Sequence, residues 1–217
     1  MDTKERILLE AKQLFMHYGL RNVSMDDMAR HLAMSKKTLY QYFTDKDDLV
    51  QQTLQQDLNE HSANMENCGK LQGHALQNML IMAEFMKKAF GMMNPLIIYE
   101  LRKYYPKAWE YFLKFRDNVL SSQLRQIILK GIQEGFFRDT INVEVVVKMR
   151  IEQVQAGFDP TIFPPDKFNF YDTQLQMLEH FLFGLVTPKG YDILVEYKKS
   201  NNVMAEWIKN IETTATS

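Results

Sequence analysis

A single cysteine, Cys68, stands in the whole chain, so no intrachain disulfide can form and neither a CxxC zinc site nor a thioredoxin-type pair can be built. Glycine (9) and proline (6) are scarce in 217 residues, and strand-like alternation bounded by turns is hard to find. An excess of one charge is lacking too. The 26 Lys and Arg against 27 Asp and Glu leave a formal net charge of −1, so any hold on a polyanion must come from a local patch. Long apolar runs are missing: Phe181 to Val186 is far too short to span a bilayer, and the opening MDTKERILLEAK carries charges where a secretion signal needs an apolar core. These absences lead us to expect a soluble cytoplasmic protein in a reducing compartment, with no membrane partner.

What is plentiful is Leu, Met, Glu, Lys and Gln, and the fold class expected is all-α. Residues 3–18 place Ile7, Leu8, Ala11, Leu14, Phe15 and Tyr18 at steps of three and four, and Gly19 ends that helix. Ser24, with Asp27 three residues on, reads as a capping box for a short second helix ending near Leu32. Ser35 caps a third through Phe43, and Thr44 or Asp45 caps a long fourth to about Asn67, roughly 33 Å at ~1.5 Å per residue. Further helical segments are expected at 74–90, 95–103, 106–134, 143–157, 172–186 and 189–211, with Pro95, Pro106 and Pro188 at or near first helical positions. The stretch 157–172 is irregular. Domain limits are expected at 1–50 and 51–217, the boundary falling inside the fourth helix.

On the third helix, 100° steps put Leu39 and Phe43 together, while Lys37, Thr38 and Gln41 lie opposite and Lys36, Tyr40 and Tyr42 flank them. Residues 28–43, MARHLAMSKKTLYQYF, hold Arg30, Lys36 and Lys37 with no acid, although residues 1–50 balance eight basic against eight acidic side chains. A second helix that presents polar and cationic side chains after a tight turn has the geometry that enters a DNA major groove. Lysines and phenolic hydroxyls can hold phosphates there, and the capped helix starts direct amides at anions. A solvated face of a small helical head is the other reading of the same pattern.

An enzyme would need a nucleophile or a metal constellation. His17, His31, His61, His74 and His180 never occur as HExxH, no Glu-x-x-His pair is present, and Cys68 is a lone thiol in a polar MENCGK context. We expect no catalysis, no cofactor and no metal.

Residues 1–50 resemble the N-terminal domain of the TetR family of bacterial transcriptional regulators. The resemblance rests on the Ala11 and Leu14-Phe15 face, the Gly19 stop, the Ser24 cap, Met28-Ala29, Ser35-Lys36-x-Thr38-Leu39-Tyr40-x-x-Phe43, and Lys46 followed by Leu49. It implies a helix-turn-helix at 24–43 and a C-terminal helical domain for ligand binding and dimerisation. By matched position it implies DNA contact at Ser24, Met25, Lys36, Lys37, Thr38, Tyr40, Tyr42 and Lys46. Ala33 stands where the family commonly has glycine in the turn, and Lys37 replaces a frequent glycine. The partners implied are a double-stranded DNA operator and a second copy of the chain. The alternative is a helical ligand-binding or interaction protein without operator binding, against which the intact face around Lys36 to Tyr42 argues.

In residues 51–217, Met79, Met82, Met86, Phe90 and Met93 form a stripe joined by Tyr99, Tyr104, Tyr105, Trp109, Phe112 and Phe115. Methionine and aromatics suit a deformable cavity for a small apolar or amphipathic effector, and ordinary core packing accounts for each equally well. The expected ligand residues are His61, Met82, Met86, Tyr105, Trp109 and Phe112; His61 reads alternatively as a boundary histidine. Near the C-terminus, Leu178, Phe181, Leu182 and Leu185, then Tyr191 and Leu194, read as a helical hairpin that pairs with its twin in a four-helix dimer interface, or as internal core.

Overall fold

The computed structural model describes residues 2–69, 73–82 and 93–199, the side chains of residues 61, 63–69, 198 and 199 excepted. Among the described residues the protein is helical, with a lone antiparallel bridge between Phe137 and Val186. Helix α1 (Thr3–Tyr18) starts on a reciprocal cap: the Asp2 carboxylate accepts from the Lys4 and Glu5 amides, and the Glu5 carboxylate accepts from the Asp2 amide. It stops at Gly19, whose φ of 86° and ψ of 164° are accessible at low cost only to glycine. Helix α2 (Met25–His31) carries the expected Ser24–Asp27 capping box, and α3 (Lys36–Tyr42) is capped by the Ser35 hydroxyl, 3.0 Å from the Thr38 amide. Phe43 leaves α3 for extended backbone and buries its ring, so α3 ends one residue before the expected position. Asp45 caps α4 (Lys46–Gly69), accepting from the Asp48 amide at 2.8 Å while Asp48 returns a bond to Thr44.

Between α2 and α3, Ala33 sits at φ 52°. A left-handed alanine costs about 1 to 2 kcal/mol that glycine avoids, partly offset by glycine's greater freedom when unfolded. Ala33→Gly is therefore expected to stabilise the protein by ~0.5 to 1 kcal/mol, read as a shifted denaturant midpoint at unchanged slope; a destabilised variant would show that the turn carries no strain.

Helical residues 75–82 (α5) precede α6 (Leu96–Tyr104) and α7 (Pro106–Phe115). The segment expected as one helix over 106–134 contains a π-helical turn, Arg116–Leu120, before α8 (Ser121–Gln133). In that turn the Ser121 amide and hydroxyl both bond the Arg116 carbonyl, while the Arg116 side chain reaches across to Gln155. Then come α9 (Val143–Gly157), α10 (Phe170–Leu185) and α11 (Pro188–Lys199). Helix α10 begins earlier than expected because Asn169 caps it, accepting from the Asp172 amide at 3.1 Å. No helix of the described residues is long and apolar enough to cross a membrane.

Two apolar cores result. The first joins Ile7, Ala11 and Phe15 of α1 to Met28, Leu39, Phe43, Leu49 and Val50, and it is completed by Leu101, Tyr105 and Ala108 from α6 and α7. The second gathers Leu76, Met79, Ile128, Phe137, Val147, Phe181, Leu182, Leu185 and Leu194. Phe137 lies across Gly131 of α8, where any Cβ would overlap its ring. Backbone bonds from Arg138 to Leu185 and from Thr187 to Phe136, both 2.9 Å, tie this corner to the α10–α11 connection.

Candidate nucleic-acid interface and its link to the body

Leu39 and Phe43 are buried, so they anchor α3 and fix which arc of it meets solvent. That arc carries Lys36, Lys37, Tyr40, Gln41 and Tyr42, all exposed. Lys37 has no ion pair among the described residues, and Arg30 of α2 is 80% exposed, held only loosely by Asp27 at 3.6 Å. The Lys36 ammonium lies 2.8 Å from Asp26, whose hydrogen bond holds its pKa above the usual lysine value. Such an exposed pair is exchanged readily for a phosphate. Ser24 and Thr38 stand at the rim with their hydroxyls engaged locally, Ser24 with Asp27 at 2.5 Å and Thr38 with Ser35 at 2.8 Å.

Two of the expected contact residues point elsewhere. Met25 opens α2 but turns into the head core, 7% exposed, because its apolar side chain gains more from burial beside Met28 and Val23 than from the groove side. Lys46 is half buried; burial pushes its pKa down, and its ammonium donates to the Arg21 carbonyl at 3.2 Å. It braces the α1–α2 turn in this conformation.

That turn is where the body takes hold of the head. Glu100 of α6 is 7% exposed, and its Oε2 accepts from the Leu20 amide at 2.6 Å and the Arg21 amide at 3.1 Å. The Asn94 amide donates to the Met16 carbonyl at 2.8 Å, and the Arg21 guanidinium lies 4.6 Å from the Tyr104 ring centre while donating to its hydroxyl. Gly19 permits this close approach, since a Cβ there would sit 3.2 Å from Glu100 Oε2. A shallow cleft of about 210 Å³ opens beside it between Arg21, Lys46, Asp47, Tyr104 and Tyr105. Nothing in IIYELRKY distinguishes Glu100 from a surface charge, so only the fold reveals the contact.

The family model for bacterial regulatory proteins of the tetR family matches residues 7–53, the segment that builds the head and its α3 arc. Residues 7–53 belong to the TetR family. The chain is 27% identical over 160 residues to the uncharacterized HTH-type transcriptional regulator YvaF of Bacillus subtilis (strain 168), covering 72% of this chain and 81% of that one. Its fold is similar to that of a TetR-family transcriptional regulator from Agrobacterium tumefaciens, with a TM-score of 0.70 at 15% identity over 85% of this chain and 97% of the other. It is also similar to a transcriptional regulator from Saccharomonospora viridis in complex with choline, with a TM-score of 0.68 at 17% identity over 85% and 97% of the two chains. The family comprises transcriptional regulators rather than enzymes. Among the described residues no group of three or more His, Cys, Asp or Glu side chains is placed to hold a metal.

In the body the expected ligand residues divide between the two cores. Tyr105, Trp109 and Phe112 pack with the head core, Met82 with the second core, and Met86 and the His61 side chain lie outside the described residues. Burial pushes the Tyr105 phenol up to about 12, so it is a neutral donor at physiological pH. Beside Trp109 is a hollow of only about 10 Å³, too small for more than a single water-sized molecule. Of the residues expected at a dimer interface, Phe181, Leu182, Leu185 and Leu194 are buried in the protomer's own core, Leu178 packs against it, and Tyr191 is 50% exposed. Side chains already buried within one copy cannot be offered to another, which corrects the outward reading of those four.

Proposed function

We propose that this chain is a homodimeric, ligand-responsive transcriptional repressor, with 1–50 as its DNA-binding domain and 51–217 as its regulatory and dimerisation domain. In this reading it binds a palindromic operator through the arc of α3 and is released by a small apolar or amphipathic effector held in the body. The observation that carries the reading is the α3 arc: cationic and phenolic side chains stand exposed on a short helix anchored rigidly by Leu39 and Phe43. The Glu100 bonds to the α1–α2 turn support a route for control, because a displacement of α6 moves the head directly. The choline complex of the Saccharomonospora regulator supports a small-molecule effector as the class of signal. Dimerisation through the outward faces of α10 and α11 leaves Leu178 and Tyr191 as the contributing residues from the sequence-derived set. Effector release needs only differential binding to the DNA-free form, typically about 1 to 3 kcal/mol, or roughly 5- to 150-fold in operator affinity.

The test is selection of bound fragments from the source genome followed by footprinting. A two-fold dimer protects a symmetric site whose half-sites are centred about 34 to 36 Å apart or a multiple of that. Protection without two-fold symmetry, or binding that ignores sequence, overturns the reading.

A further inference from the structure

The cleft between head and body, about 210 Å³, brings together Arg21 of the α1–α2 turn, Lys46 and Asp47 of α4, and Tyr104 and Tyr105 where α6 meets α7. Its two cations are held by single bonds that leave most of their donors free. Arg21 gives one N–H to the Tyr104 hydroxyl and Lys46 one to the Arg21 carbonyl, each at 3.2 Å, and among the described residues neither forms an ion pair. Lys46 is half buried, and burial lowers its pKa while Glu100 and Asp47 act against that shift. Tyr105 is 7% exposed and lines the cleft, yet among the described residues its hydroxyl makes no hydrogen bond. Burial first, then the Asp47 and Glu100 charges, push its pKa up to about 12 with Arg21 acting against them, so the hydroxyl stands among these charges and stays protonated. Glu100 lies behind the wall with its Oε2 committed to the Leu20 and Arg21 amides. Two cations and a free phenol against one carboxylate, Asp47, therefore face the opening.

We propose that this cleft binds inorganic phosphate, held by Arg21, Lys46 and the Tyr105 hydroxyl, with Asp47 accepting the proton that phosphate carries as P–OH. The chemistry is complementary on each count. The guanidinium fork matches the oxygens of a tetrahedral anion, and charge-assisted bonds are stronger than neutral ones. The half-buried ammonium gains a counter-charge, and the Tyr105 hydroxyl gains the acceptor that the fold withholds. Asp47 repels an anion that has only acceptor oxygens but takes a hydrogen bond from one that keeps a P–OH, so the cleft selects hydrogen phosphate over sulfate. Arg21 and Lys46 belong to the head and Tyr105 to the body, so a bound phosphate ties the two together beside Glu100. This site stands independently of the operator and the effector.

The probes are inorganic phosphate, sulfate and methyl phosphate, all predominantly dianions near about pH 7.5, of which only inorganic phosphate keeps a P–OH. Full-length wild type, Arg21→Gln, Asp47→Asn and Tyr105→Phe are titrated at constant ionic strength without DNA, by calorimetry and thermal melting. Wild type is expected to bind phosphate at least about tenfold more tightly than sulfate or methyl phosphate. At about ten times its Kd, phosphate is expected to place the melting temperature roughly 2 to 4 °C above that in equal sulfate, which matches it as a surface-excluded salt. Arg21→Gln is expected to lose at least about tenfold in phosphate affinity, and Tyr105→Phe about 3- to 10-fold. Without phosphate, Tyr105→Phe is expected to melt like wild type, since its hydroxyl has no bond to lose. Asp47→Asn is expected to bring phosphate and sulfate within about threefold of each other, because an amide can donate to either anion. No phosphate binding by wild type up to about 20 mM, equal binding of phosphate and sulfate, or undiminished affinity in Arg21→Gln overturns the site. An unchanged preference in Asp47→Asn overturns it as well; if Arg21→Gln fails to fold, the Tyr105→Phe and Asp47→Asn titrations decide.

Discussion

Glu100→Ala is expected to lower the melting temperature by roughly 5 to 12 °C and to erase protection of the Leu20 amide against hydrogen exchange. The carboxylate accepts from both the Leu20 and Arg21 amides at a buried position, so its removal strands one fully buried donor and one partly buried donor. Stranding such groups, with loss of bonds to a charged acceptor, costs ~2 to 4 kcal/mol, and each kilocalorie shifts the melting point of a chain this size by about 2 to 4 °C. Glu100→Gln keeps one acceptor oxygen and is expected to lose about half as much. The exposed neighbour Arg102, 3.6 Å from Asp159, provides the control: Arg102→Ala is expected to cost under about 1 kcal/mol. Retained exchange protection at Leu20 in Glu100→Ala would remove the link between α6 and the head.

The largest effect on DNA binding is expected from Lys36→Ala combined with Lys37→Ala. In a two-fold dimer this variant removes four cations from the exposed arcs of α3. At about 0.9 counterion per phosphate contact, the slope of log affinity against log salt is expected to fall by roughly 3 to 4 and operator affinity by ~10²- to 10³-fold near 0.15 M salt. Stability is expected to hold within about 0.5 kcal/mol, because both side chains are exposed and neither contributes to a core. Filter binding or anisotropy over a salt series measures the slope, and circular dichroism checks the fold. An unchanged slope would take both lysines off the contact surface. Lys46→Ala is expected to behave differently: its ammonium bonds the Arg21 carbonyl, so its loss loosens the α1–α2 turn.

The head was legible in the sequence because its signals are local. A cap is written within three residues, as at Ser24–Asp27 and Ser35–Thr38; a stop is written in a single Gly19; and the inward pair Leu39 and Phe43 follows from a four-residue step. The resemblance marked Ala33 as standing where the family commonly has glycine, and the structure is what places it in the left-handed region, at φ 52°. The directions of Met25 and Lys46 were not legible for the converse reason: residue type and position give no direction for a side chain at a helix start, where Met25 turns to the core and Lys46 to the neighbouring turn.

In the body, apolar periodicity was enough for helices and their approximate limits, and each helix has one stripe that must be buried. It does not say against what. Phe181, Leu182, Leu185 and Leu194 suit a subunit interface and a protomer core alike, and only the packing of α8 and α9 against them assigns them to the protomer. Glu100 reaching the α1–α2 turn across 80 positions, and Arg150 buried on α9 with its Nη1 unpartnered among the described residues, leave no trace in their neighbouring residues. By itself the sequence determined the all-helical class, the caps and the exposed arc of α3, because hydrogen bonds within a turn and faces within a helix depend on residues a few positions apart. Which faces meet, and therefore which charges are buried and which helix grips the head, was decided only by the tertiary structure, since those energies depend on partners distant along the chain.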